Sequence, residues 1–123
     1  MSEAEVIRAY ERYLEAFLAD DLAAIDRLVQ YPLAYIADGK VVLLDEYPIK
    51  PSALMRAKAW HTSIDMAYEV IGVSATKAHL VLKRCTRVRR DGSAIEQVFA
   101  FYAWTKTDEG WKMFAISDVT LPC

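Results

Sequence analysis

From Ile64 to the C-terminus the apolar residues stop recurring every three or four positions and begin to alternate, and this change of period constrains the fold more than any other feature of the chain. Four stretches, Ile64 to Ser74, His79 to Arg89, Ala94 to Lys106 and Trp111 to Thr120, carry the two-residue pattern of strands. Gly92 and the Asp108-Glu109-Gly110 segment mark the turns between the last three. Ahead of them the pattern is helical. Val6, Ile7, Tyr10, Tyr13, Leu14, Phe17 and Leu18 form one stripe of an amphipathic helix over Ser2 to Ala19. Asp20 and Asp21 cap a second helix whose buried stripe is Leu22, Ile25, Leu28 and Val29, with Pro32 as its limit.

Two short apolar runs then flank Ala37-Asp38-Gly39-Lys40, where the Asp-Gly pair signals a hairpin turn. Pro48 and Pro51 break the chain, and Ser52 to His61 reads as a third helix. Helices followed by strands make an α+β domain with three N-terminal helices on a curved mixed or antiparallel sheet. No linker or repeat interrupts the pattern, so residues 1–123 read as one domain. A chain of this length with 54% hydrophobic residues can close a core without disulfides or a structural metal.

The last two strands are apolar on both sides. Val98, Ala100, Tyr102 and Trp104 alternate with Phe99, Phe101 and Ala103, and Trp111, Met113 and Ala115 alternate with Phe114 and Ile116. One face packs on the helices, and a second copy of the chain is the economical cover for the other. A homodimer through the sheet is therefore expected.

Charge excludes some functions. Fifteen basic and 17 acidic residues leave a formal charge of -2, which gives no field for nucleic acid or an anionic membrane. The basic stretch Lys83, Arg84, Arg87, Arg89 and Arg90 runs into Asp91-Gly92 and reads as a solvated strand end. His61 and His79 have no acidic or histidine partner at ligand spacing, and neither Cys85 nor Cys123 sits in a metal or redox motif. No metal or organic cofactor is expected. With no leader and no apolar run long enough to span a bilayer, the expected location is cytoplasmic.

The order of elements resembles the cone-shaped fold of nuclear transport factor 2-like proteins. The stretch Glu11-Arg12-Tyr13-Leu14-Glu15-Ala16-Phe17-Leu18-Ala19-Asp20-Asp21-Leu22 is similar to the helix-turn-helix opening of ketosteroid isomerase and the SnoaL-like polyketide cyclases, and Gly110-Trp111-Lys112-Met113 to their final strand. The resemblance implies a cofactor-independent isomerase, cyclase or dehydratase working by proton transfer. It places Tyr13 as an oxyanion-hole donor and Tyr102 near the position of the second donor. For the general base it implies Ala37 in an ungapped comparison, so that Asp38 takes the role after a one-residue offset. Asp118 resembles the strand aspartate of the cyclases, although alternation groups it with Phe114 and Ile116 on the dimer face.

Two readings stay open at this stage. In one, Tyr13 and Asp38 are catalytic and Tyr102, Trp104, His61 and Phe17 line a pocket for a small apolar molecule. In the other, the chain is a non-catalytic ligand-binding or dimeric protein-association module of the same fold.

Overall fold

A computed structural model describes residues 2–119. Helix α1 (Ser2–Leu18) buries Val6, Tyr10 and Tyr13 of the expected stripe together with Ala9 and Ala16, while Ile7, Leu14 and Phe17 are half-buried and Leu18 is exposed. The chain leaves it through Asp20 at φ 55°, and Asp21 caps α2 (Leu22–Arg27) by accepting from the amide of Ala24 at 3.1 Å. Here the structure corrects the sequence reading. The second helix stops before Val29, which opens β1 (Val29–Ala37) and pairs with Met113 of the last strand. Val29 is β-branched and Pro32 follows closely, so a strand partner outweighs one more helical turn.

Strand β2 (Lys40–Leu44) returns from β1 through a two-residue turn, with Ala37 opposite Lys40 and positive φ at both Asp38 (55°) and Gly39 (73°). Those are the signs of a type I′ turn, which asks for residues that tolerate the left-handed region. Helix α3 (Pro51–Lys58) begins on a proline and stops at Ala59, which adopts φ 57°. It ends short of the expected His61. Trp60 turns into the core and donates its indole N–H to Ser63 Oγ at 3.2 Å, while the His61 amide bonds to the Val88 carbonyl at 2.9 Å.

The remaining strands are β3 (Thr62–Val73), β4 (Lys77–Val88), β5 (Ala94–Gln97), β6 (Ala100–Thr107) and β7 (Gly110–Asp118). The stretch expected as one strand from Ala94 to Lys106 is interrupted at Val98 and Phe99. The sheet runs β2-β1-β7-β6-β4-β3, with β5 paired to β4, and it is mixed because β1 lies parallel to β7. α1 packs across its inner face against β3 and β7. Trp104, Tyr10, Ile25, Leu33, Leu80 and Met113 are fully buried between them.

Two bulges decide which residues face inward. On β4, Lys83, Arg84 and Cys85 stand against only two residues, Val98 and Phe99, since Leu82 pairs with Ala100 and Thr86 with Gln97. Lys83 and Arg84 are both exposed, ion-paired to Glu69 and Asp65, and beyond them the parity of the strand is inverted. On β7 the extra residue is Phe114, because Trp104 pairs with Met113 but Ala103 with Ala115. Ile116 and Asp118 thereby join Trp111 and Met113 on the inner face. This corrects their assignment to the outer one.

Candidate functional site

Between α1 and the inner face of the sheet lies a cavity of about 320 Å3. That volume is near the lower end of the roughly 300–1,000 Å3 of small-molecule sites. α1 supplies Tyr10, Tyr13, Leu14 and Phe17, spaced by a turn or less so that all reach the same side. β4 contributes Leu82, Cys85 and Arg87, and β3 contributes Ser63 and Met66. β6 and β7 add Ala100, Tyr102, Ile116 and Asp118, which face each other as the pairs Tyr102–Ile116 and Ala100–Asp118.

The polar wall is built from tyrosines. The Tyr13 and Tyr47 hydroxyls hydrogen-bond, and the Tyr13 and Tyr102 ring centroids lie 6.0 Å apart, with Tyr10 at 5.7 Å from Tyr13 and 5.2 Å from Tyr102. The Tyr10 hydroxyl is buried beside Tyr102, with no hydrogen bond of ordinary geometry among the described residues. Burial is the leading cause that pushes the phenols of Tyr10, Tyr13, Tyr47 and Tyr102 above their ordinary range. All four therefore stay neutral in physiological buffer; Tyr10, Tyr13 and Tyr102 line the cavity as hydroxyl groups, with one proton of the Tyr13–Tyr47 pair spent on their mutual bond. Burial likewise raises the Cys85 thiol, against the lowering effect of Ser63 and Arg87. It is a protonated thiol rather than a nucleophile.

Charge enters at two points. Arg87, whose side chain is 15% exposed, donates from its Nη1 to Glu96 Oε2 at 2.8 Å. Glu96 also receives the Lys58 ammonium, at 2.9 and 3.0 Å, and this bond is the first cause of its lowered carboxyl pKa. Among the described residues lining the cavity Asp118 is the one carboxylate, and it is exposed. Neither Arg87 nor the inward setting of Asp118 was visible in the sequence, because a strict two-residue alternation carried past Lys83 and Phe114 gives each the wrong face.

Of the residues singled out from the sequence, the fold brings Tyr13, Tyr102 and Phe17 to the cavity wall. Asp38 is not there: it is exposed at the hairpin tip, held by the left-handed turn geometry that Asp-Gly favours. Trp104 lies in the core edge-on to Tyr10 rather than on the cavity wall. His61, exposed after α3, borders a separate surface hollow with Arg89, Arg90 and Asp91. Among the described residues no three His, Cys, Asp or Glu side chains gather as a metal-ligand set. No helix of the described residues is long and apolar enough to cross a membrane.

A long helix laid across a curved mixed sheet, with a cavity between them, defines the cone-shaped α+β class to which nuclear transport factor 2 gives its name. Within it the chain belongs to the family of NTF2-like proteins designated DUF6841, whose profile matches residues 3–120. Solved structures agree on the fold. An NTF2-like protein of unknown function from Shewanella oneidensis superposes with a TM-score of 0.66 at 16% identity, covering 93% of this chain and 95% of that one. The association domain of Caenorhabditis elegans CaMKII gives 0.66 at 16% identity, covering 95% and 94%. A protein provisionally assigned as a ketosteroid isomerase from Shewanella frigidimarina gives 0.57 at 10% identity, covering 89% and 90%. No curated protein matches the sequence.

Proposed function

We propose that the chain binds a small, predominantly apolar molecule in the cavity beneath α1 and acts on it by cofactor-independent proton transfer, as an isomerase, cyclase or dehydratase. One observation carries the reading: neutral tyrosine hydroxyls and the carboxylate of Asp118 border the same largely apolar cavity. Removing a proton beside a carbonyl needs a base near that carbon and donors near the oxygen that becomes negative. Tyr13 and Tyr102 are the donors in this reading, and Asp118 takes the part that the sequence resemblance gave to Asp38.

The test is α-proton exchange into D2O, followed by NMR, for a panel of aryl and cyclic ketones, neutral and acidic. Asp118→Asn should slow the exchange by about 10²–10⁴-fold, the usual worth of a positioned base. Tyr13→Phe should slow it by about tenfold or more through loss of an oxyanion donor. Asp38→Asn should leave the rate unchanged. If no ketone exchanges faster with the wild-type chain than with Asp118→Asn, proton transfer is rejected and the non-catalytic reading replaces it.

That second reading, of a dimeric association module, has its own support in the outer face of the sheet. Phe101, Ala103, Val81 and Ala115 point away from α1, and the Nδ1 of His79 on the same face is buried without a partner among the described residues. A homodimer through this face is compatible with either activity, since the cavity lies on the opposite side of the sheet.

A further inference from the structure

Among the described residues that line the cavity Arg87 is the only cation, and its setting is unusual for a strand arginine. The bulge at Lys83 and Arg84 turns it inward, beside its cross-strand neighbour Ser63 and on the same wall as Cys85. Its one hydrogen bond to a side chain among the described residues goes from Nη1 to Glu96. An arginine has five N–H donors in a fixed fork, so most of the guanidinium remains available.

The charge around it does not cancel. Glu96 carries one negative charge and is shared by two cations, Arg87 and Lys58. Lys58 is 42% exposed and is solvated, whereas Arg87 is 15% exposed. The uncompensated positive charge of the trio is thus least hydrated on the side that meets the cavity. The tyrosines around it are neutral donors. Asp118, the one carboxylate among the described lining residues, is exposed and solvated as Lys58 is, so the desolvated charge on the cavity wall is that of Arg87, and with hydroxyl groups and apolar side chains beside it this part of the wall matches an anionic head on an apolar body.

Resting on the reading of this cavity as a ligand site, we propose that its occupant is a small apolar monocarboxylic acid whose carboxylate accepts from the Arg87 guanidinium and the neighbouring tyrosine hydroxyls. The planar carboxylate fits the arginine fork in a way that a neutral carbonyl does not.

The experiment compares matched probes: benzoate, phenylacetate, 4-phenylbutyrate and hexanoate, each against its primary amide, by calorimetry on the whole chain. At least one acid should bind about tenfold or more tighter than its amide, the worth of one charge-assisted hydrogen bond. Arg87→Gln should erase that preference while the amide's affinity holds, and Arg87→Lys should restore only part of it. Should the arginine variants fail to fold, the wild-type chain still decides, because the Arg87 Nε–H resonance must shift with the acid and not with its amide. Equal affinity of acid and amide would overturn the anion inference and leave the cavity as a ligand site. Absence of binding by every probe at millimolar concentration would overturn both.

Discussion

Trp104→Ala is expected to destabilise the protein by about 3–5 kcal/mol, the range for emptying the volume of a large buried aromatic. Trp104 has no solvent exposure and sits on β6, inside the sheet, paired across to Ala78 on one side and Met113 on the other. Above it the Tyr10 ring meets it edge-on at 6.4 Å, and Tyr10 is itself fully buried. Small Ala78 cannot fill the gap, and neither strand can move without disturbing the neighbouring ladder. Since whole domains are stable by only about 5–15 kcal/mol, the variant should melt far below the parent and sit near its unfolding threshold.

Trp104→Phe separates packing from polarity. The Trp104 indole N–H is buried without an acceptor among the described residues, so phenylalanine removes an unmet donor while keeping most of the ring volume. Its cost should stay below about 1.5 kcal/mol. Urea titration of the three proteins measures both differences. A Trp104→Ala loss below about 1 kcal/mol would mean that Trp104 is not the central packing residue, contrary to its place between α1 and the sheet.

What the sequence discloses here follows from what is local. α1 was legible because Val6, Tyr10 and Tyr13 repeat at helical spacing, and the Asp38-Gly39 hairpin because the turn chemistry is confined to two residues. Asp21 as a cap is equally local and was found where expected, while Pro51, expected to break the chain ahead of the third helix, opens that helix instead. The site was less legible because its polar residues depend on parity. Counting by twos from Leu80 places Arg84 inside and Arg87 outside, and one unpaired residue in the ladder reverses the order. The same holds for Asp118 beyond Phe114. Nothing in the local composition marks either bulge, because the extra residue is defined by the partner strand.

Tertiary pairing also explains the two shortened helices. Val29 continues the apolar stripe of α2, yet the ladder to β7 and the Met113 amide, which donates to the Leu28 carbonyl at 2.8 Å, draw it into the sheet. Trp60 is drawn in the same way from α3. In both cases a contact distant in sequence overrides a helical propensity that was read correctly.

The homodimer proposed above makes the second large prediction: the wild-type chain should sediment at twice its 14.0 kDa mass, and Phe101→Asp should return it to the monomer. Phe101 lies on the outer face, opposite Val81 on β4 and Ser117 on β7, with the His79 ring 5.3 Å from its own. On β2 the same face carries Val41 and Leu43, exposed at 63% and 66%. These residues extend an apolar band across the strands away from α1, and a self-associating face of this kind buries the same patch on both copies. A carboxylate at position 101 would meet its symmetry mate or an apolar surface, and either one weakens association by about two orders of magnitude or more. The inner face is untouched by this change, so probe binding in the cavity should persist in the monomer. That pairing of results would separate assembly from ligand recognition. A wild-type chain that sediments as a monomer at micromolar concentration would sink the dimer, and the apolar outer band would then need another cover.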